Sequence, residues 1–381
     1  MVRGDLGRGA AVPLDLDDVE RAAAAALPPD VWDFVAGGSG RELSLAANRA
    51  AFDGVFVRPR VLNDVSACGA ESTLLGRAVR MPVAIGPVAY HRLVHPEGES
   101  ATARAAKAAG VPFTVATLSS VPVEEVTAAG GSVWFQLYWL RDTGRTLELV
   151  RRAEDAGCEA IVLTVDVPWM GRRLRDVRNG FTLPDHVRAV HLGGGASTAH
   201  RGGHGASAVA VHTAETFSRS LTWSSVERLR ECTRLPIVLK GVLAPEDARR
   251  AVEHGVDALV VSNHGGRQLD GAVTAVDALP DVVEAVGGAC EVLLDGGVRS
   301  GTDVLKALAL GASGVLVGRA PVWGLAAGGE DGVRRVLDIL AGELTDALGL
   351  AGCAGVAEAR RLTTLAAPGG GSVRGAGARS G

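Results

Sequence analysis

Eight short apolar runs, each followed by a helix-compatible stretch, predict an α/β fold in which eight parallel strands close into a (β/α)8 TIM barrel. The runs are VAIGPV from Val83, PFTVA from Pro112, WFQLY from Trp134, AIVLTVD from Ala160, PIVLKGV from Pro236, ALVVSNH from Ala258, EVLLDGG from Glu291 and GVLVGR from Gly314. Two further observations favour a closed barrel over a doubly wound open sheet. The first run leads into GPVAYHR and not into a GxGxxG turn. The last two end in turns rich in glycine and arginine, the usual phosphate site of a barrel.

Around this core the chain divides into residues 1–80, an N-terminal helical segment and cap, a barrel over 81–366, and a tail at 367–381. Leu14 to Phe52 reads as helical pieces broken by PPD and GGSG. The AAAAAL run lies between Arg21 and Pro28 and predicts an amphipathic helix, not a secretory signal. About forty-five residues, 175–221, interrupt the alternation after the fourth run and are expected to form a long mobile lid loop over the barrel mouth. Its histidines, His191, His200, His204 and His212, lack carboxylates or cysteines at ligand spacing and are expected to be solvated, with no metal site. The glycine-rich tail, APGGGSVRGAGARSG, is expected to be disordered.

Composition narrows the function. The chain has 381 residues, 47% hydrophobic, with a net charge of -4 and no polybasic patch, so nucleic acid is not an expected partner. No stretch is long and apolar enough to cross a bilayer. The five cysteines, Cys68, Cys158, Cys232, Cys290 and Cys353, lie far apart and suit reduced thiols in a cytoplasmic protein.

In a barrel the chemistry sits at the C-terminal ends of the strands. Those ends carry Pro87, Val88 and Ala89; Gln136 and Tyr138; Thr164 and Asp166; Lys240; Ser262 and His264; Asp295, Gly297 and Arg299; and Gly318 with Arg319. The segment SNHGGRQLDG is central. His264 can move a proton near neutral pH, Arg267 can grip an anion with two parallel hydrogen bonds, and Gly265 and Gly266 allow the backbone close to a ligand.

These motifs, with AGGSGRELSLAANR, HPEGE, LTVDVPWMGRR, LKGV and DGGVRSGTDVLKALALGA, resemble the FMN-dependent α-hydroxy-acid oxidases and dehydrogenases over almost the whole chain. The resemblance implies FMN as cofactor and a catalytic set of His264 as base, Asp166 orienting it and favouring its protonated form, Tyr138 as a hydrogen-bond donor and Lys240 facing the flavin. It implies that Arg173, Arg267 and Tyr138 bind the substrate carboxylate. FMN contacts would come from Pro87, Val88, Ala89, Ser119, Gln136, Thr164, Lys240, Ser262, Asp295, Gly297, Arg299, Gly318 and Arg319. One departure stands out: Phe34, in VWDFV, takes the place of a carboxylate-binding tyrosine and cannot donate a hydrogen bond.

FQLYWLRD and TVDVPWMGRRLRDVRNGF are most similar to the branch of the family that oxidises 4-hydroxymandelate in antibiotic biosynthesis. The expected reaction is oxidation of an (S)-2-hydroxy acid, 4-hydroxymandelate, to 4-hydroxybenzoylformate, with dioxygen reduced to hydrogen peroxide. Ala89 matches an alanine often found in the oxidases. Phe34, a shortened Val121-Pro122 loop, Trp169 and Met170 are expected to make room and apolar surface for an aryl group, with Tyr90 near the para hydroxyl. Alternatives are a quinone-linked dehydrogenase, a decarboxylating monooxygenase, and a non-redox lyase with Lys240 as a Schiff-base amine. The family resemblance also implies a homotetramer, and the polar insertion, with no basic amphipathic or apolar face, argues against a membrane partner.

Overall fold

The computed structural model describes residues 12–193, 198–200 and 207–366. All eight expected strands form, at Val83–Ile85, Phe113–Ala116, Val133–Leu137, Ala160–Thr164, Ile237–Val242, Ala258–Val261, Glu291–Asp295 and Gly314–Val317. They pair in parallel in chain order, and the eighth pairs the first, so the sheet closes. Closure explains why the strands are apolar along their whole length, since one face meets the barrel interior and the other the surrounding helices.

The interior holds Ala84, Trp134, Val162, Val238, Val260, Leu293 and Leu316. Side chains alternate along a strand, so a step of two residues toward the C-terminal end returns to the same face. From Trp134 that step reaches Gln136, from Val162 Thr164, from Val238 Lys240, from Val260 Ser262 and from Leu293 Asp295. One barrel interior is therefore apolar below and polar at the mouth. A hairpin of Ser72–Leu74 and Arg77–Val79 lies against its lower layer, with Leu74 buried among the interior side chains.

The N-terminal cap contains helices Leu16–Ala26, Pro29–Ala36 and Leu43–Asp53. Asp15 caps the first by accepting from the Asp18 N–H, and this helix packs along the C-terminal helical stretch Arg319–Leu350, which is broken at Gly328 and Gly329. A short strand after the barrel, Thr364–Ala366, pairs antiparallel with Val55–Val57, which follows the cap helices.

The insertion after the fourth strand differs from a simple loop. Its described part carries helices Leu174–Asn179 and Ala208–Thr216 and buries Phe181, Leu183, Val187, Val209 and Phe217. Its last turn docks on the segment after the third strand, where Arg141 N–H donates to the Thr216 carbonyl and Ser218 N–H to the Trp139 carbonyl. Nor is His191 solvated. It is buried, accepts from the Val123 N–H at 3.0 Å and packs edge-on to Phe135. His200 is partnered too, with Nδ1 2.9 Å from the Leu183 carbonyl. His204 and the tail 367–381 lie outside the described residues. All five cysteines are free thiols, and among the described residues no helix is long and apolar enough to cross a membrane.

Candidate active site

At the barrel mouth the catalytic candidates converge. His264 follows the sixth strand with a left-handed φ of 59°, a conformation that is strained for a non-glycine residue and that clusters at functional sites. Its N–H donates to the Ser262 hydroxyl at 3.0 Å, and the neighbouring Gly265 and Gly266 also have positive φ. Nδ1 of His264 meets the Asp166 carboxylate at 3.0 Å. Asp166 can come that close because Gly241, in the bulged fifth strand with φ 112°, lies against it; a Cβ there would sit 2.6 Å from the Asp166 side chain. Gln268 ties the two loops together by donating to the Asp166 and Trp169 carbonyls and accepting from the Gly171 N–H.

Asp166 pulls His264 toward the imidazolium, but it does not set the net direction. Burial is the larger influence and holds the His264 imidazole below its ordinary value of 6.5, while Asp166 opposes it. The free histidine is thus biased toward the neutral form that a base requires.

Lys240 is buried, 2.6 Å from the Asp295 carboxylate and 3.1 Å from the Ser262 hydroxyl. Burial pulls the ammonium down, but Asp295 and Asp166 outweigh it and raise it above 10.5. Asp295 moves the complementary way: burial raises the carboxyl, and Lys240 brings it below its usual range. Both partners therefore stay charged, which is the wrong state for a Schiff-base nucleophile, since that role needs a neutral amine.

Two guanidiniums define the other side of the cavity. The ring of Phe34 has the Arg173 and Arg267 guanidinium carbons at 5.8 and 5.6 Å from its centroid, and it stacks on Phe181 at 4.6 Å. Burial and then Arg173 push the Arg267 guanidinium well below its ordinary value, and burial lowers Arg173. Two like charges crowded in this way favour an anion between them. Asp176 is buried, neither of its carboxylate oxygens is hydrogen-bonded among the described residues, and it feels both arginines. Tyr138 stacks on Phe217 at 4.3 Å, and burial followed by Asp166 raises its hydroxyl to about 12, so it remains a donor.

Where the seventh and eighth strands end, Arg299 and Arg319 are half-buried and have no ion-pair partner among the described residues. Arg319 opens the long C-terminal helix and donates to the Val35, Gly37 and Gly265 carbonyls, while Arg299 donates to its neighbour's carbonyl. Burial and Arg299 pull Arg319 down to about 9. Gly297, at φ 88°, passes so close to Asn48 that a Cβ would lie 2.3 Å from its carbonyl oxygen. Two half-buried cations, a glycine turn and a helix N-terminus fit a phosphate dianion. Pro87, Val88 and Ala89 add an apolar wall that fits a flat ring system, and Lys240 stands at the polar end of the mouth. The residues present therefore fit FMN.

A family model described as FMN-dependent dehydrogenase matches residues 23–365. The chain belongs to this family. It is 62% identical over 351 residues to a 4-hydroxymandelate oxidase of Amycolatopsis orientalis, an alignment covering 92% of this chain and 98% of the relative. An L-lactate oxidase of Nostoc sp. is 46% identical over 90% of this chain and 95% of its own length. Among solved structures, a mandelate oxidase with (S)-4-hydroxymandelic acid superposes with a TM-score of 0.91 at 61% identity, covering 93% of this chain and 99% of that one. This member of the FMN-dependent dehydrogenase family is accordingly an FMN-dependent 2-hydroxy-acid oxidising enzyme.

Not every expected residue lines the cavity of this family member. Phe34, Pro87, Val88, Ala89, Gln136, Tyr138, Arg173, Lys240, His264, Arg267, Asp295, Gly297, Arg299, Gly318 and Arg319 do. Ser119, Thr164 and Ser262 stand one layer behind. The Ser119 hydroxyl donates to the Val121 carbonyl, Thr164 accepts from Gln136, and Ser262 holds Lys240, Asp295 and the His264 N–H. Trp169 is exposed, with the Arg219 guanidinium 3.7 Å above its ring, so it does not join Met170 in the inner wall. Val121 is also buried away from the cavity, and Leu118 takes its place there.

Some working residues carried no signal in the sequence. Val209, Thr213 and Phe217 reach the cavity from the insertion. Asn48 and Asn263 exchange amide hydrogen bonds of 2.7 and 2.8 Å that clamp the cap onto the histidine loop. Glu99, from HPEGE, accepts from the His91 N–H and from the Ser120 N–H and hydroxyl, which joins the loops after the first two strands.

Proposed function

We propose that this enzyme oxidises (S)-4-hydroxymandelate to 4-hydroxybenzoylformate and returns the electrons to dioxygen as hydrogen peroxide. The observation that carries this reading is the meeting of the His264–Asp166 pair with the Arg173 and Arg267 guanidiniums around one cavity. In this reading the two arginines hold the carboxylate with bidentate geometry, and Tyr138 donates to the oxygen on the α-carbon. His264 takes the proton displaced as the carbonyl forms, and Asp166 stabilises the imidazolium that results. Bound FMN supplies the two-electron redox chemistry. Arg299, Arg319 and the Gly297 turn would hold its phosphate, Pro87, Val88 and Ala89 its ring, and Lys240 would balance negative charge at the ring's polar end.

The aryl substrate is favoured by the apolar lining of Leu118, Met170, Val209 and Phe217, and the relative from Amycolatopsis orientalis carries the same activity in its name. A role in antibiotic biosynthesis, a tetrameric assembly expected from the family, and a cytoplasmic location suited to five free thiols belong to this proposal. The test is anaerobic addition of (S)-4-hydroxymandelate to purified enzyme. Bleaching of the flavin, formation of one equivalent of the 2-oxo acid and peroxide release in air are expected. Reoxidation by a quinone analogue but not by air would make the enzyme a dehydrogenase. A decarboxylated acid as the main product would make it a monooxygenase.

A further inference from the structure

The inventory of hydrogen-bonding groups around the cavity leaves one neutral side chain unaccounted for. Among the neutral polar residues of the wall, Gln136 accepts from the Thr117 N–H and donates to Thr164. Gln268 uses both ends of its amide on the loops it joins, and Thr213 donates to the Val209 carbonyl of its own helix. Tyr138 stands among Asp166, Lys240 and the two arginines, at the reacting end. Tyr90 differs from all of them. It is 1% exposed, its side chain lines the cavity, and its hydroxyl has no hydrogen-bond partner among the described residues. Buried hydroxyls are seldom left unpaired, and those that are call for an explanation.

The backbone points the same way. Tyr90 has φ 61°, in the left-handed region that a residue with a large side chain rarely adopts. Two hydrogen bonds hold it there, from its N–H to the Leu118 carbonyl and from the Leu93 N–H to its own carbonyl. Strain fixed in this manner marks a side chain placed for use. The bond to Leu118 sets Tyr90 beside one of the apolar residues of the cavity wall, and Tyr138 and Arg173 are the polar groups that act on its phenol. The carboxylate end already has two guanidiniums for its two oxygens, so the phenol adds little there.

We propose that Tyr90 is a specificity-determining residue that hydrogen-bonds the polar substituent at the far end of an aryl substrate's ring. The inference rests on the aryl 2-hydroxy-acid reading above. A tyrosine hydroxyl both donates and accepts, so it can pair with a phenol in either sense, whereas an unsubstituted ring leaves it without a partner. A site built to bond a substrate hydroxyl discriminates against the analogue that lacks it.

The experiment compares kcat and KM of the holoenzyme and of Tyr90→Phe for (S)-4-hydroxymandelate and (S)-mandelate. Loss of one neutral hydrogen bond corresponds to about tenfold, so the kcat/KM ratio of the two acids should fall by roughly that factor, mostly through KM. Turnover of mandelate should stay within about twofold, which also shows that the variant folds. Equal losses on both acids would overturn the proposal and assign the phenol to the carboxylate end; an unchanged ratio would overturn it as well. The wild-type turnover of mandelate separately tests the reading beneath it, because that acid does not engage the substituent.

Discussion

Nδ1 of His264 lies 3.0 Å from the Asp166 carboxylate, yet the imidazole is held below its ordinary 6.5. The two facts are compatible because burial works against the cation while Asp166 works for it, and Lys240 and Arg173 add to the repulsion. A neutral base is present before substrate arrives, and its counter-ion is already in place for the imidazolium that forms during turnover.

The pH dependence of kcat/KM follows with a definite sign. This parameter reports the free enzyme, so activity should fall as pH drops through the depressed histidine value, with the acid limb below 6.5. Asp166→Asn removes the group that raises the imidazole, so the limb should move further down while the rate falls. A limb above 6.5 in the wild type would contradict the balance. His264→Ala should keep its flavin and lose about 10²–10⁴-fold in rate, and a loss under about tenfold would remove His264 from the base role.

Arg173 and Arg267 share the ring of Phe34 as a platform, so their separate replacement measures how the carboxylate is divided between them. Removing one partner of a buried charge pair costs about 2–5 kcal/mol. Arg267→Leu and Arg173→Leu should each lower kcat/KM by at least about thirtyfold, with flavin content unchanged. Neutral amide analogues of the substrate should lose much less than the acids do. If acid and amide suffer equally, the arginines serve the fold and not the carboxylate.

How far the site was legible in the sequence depends on what fixes each residue. Gln136, Lys240 and Asp295 were legible because a strand's period of two sets them above an apolar interior, whatever the rest of the chain does. His264, Arg267 and Arg319 were legible because glycines and strand ends mark the turns that carry them. Phe217 and Val209 were not, since the insertion's path is decided by packing of Phe181, Leu183 and Val187 and not by any local period. The same limit explains Trp169 and Met170: on an irregular segment only tertiary contacts decide which of two adjacent residues reaches the inner cavity, and here it is Met170. His191 looked like a solvated residue in a polar loop, but its ring nitrogen supplies the acceptor for the otherwise unpaired Val123 N–H.

Arg299 and Arg319 offer a test that does not depend on turnover. Both are half-buried: Arg319 donates to main-chain carbonyls, Arg299 donates to one and packs 4.6 Å from the Trp323 ring centroid, and Arg319 is pulled to about 9 by burial and its neighbour. Arg319→Met should therefore weaken FMN retention by about tenfold to a hundredfold, the worth of a charge-assisted hydrogen bond at roughly 1.5–3 kcal/mol. Thermal melting with and without added FMN should show a smaller stabilisation by the cofactor than in wild type. Undiminished FMN affinity in this variant would place the phosphate elsewhere.

Phe217 provides the sharpest test of the aryl pocket, because it has two separable duties. Its ring stacks on Tyr138 at 4.3 Å and also lines the cavity beside Val209, so Phe217→Ala should disturb the donor and remove apolar wall at once. The first effect touches every 2-hydroxy acid alike and appears as a common fall in kcat. The second depends on the substrate's side chain, since a ring removes far more apolar area from water than a hydrogen or methyl does, at about 25 cal/mol per Å². For a loss of some 50 Å² of contact this comes to about 1 kcal/mol, or roughly fivefold. The kcat/KM ratio of 4-hydroxymandelate to glycolate should fall by about that factor beyond the shared loss. A ratio that does not move, measured across glycolate, lactate, mandelate and 4-hydroxymandelate, would confine Phe217 to the support of Tyr138 and leave the aryl group to Leu118, Met170 and Val209.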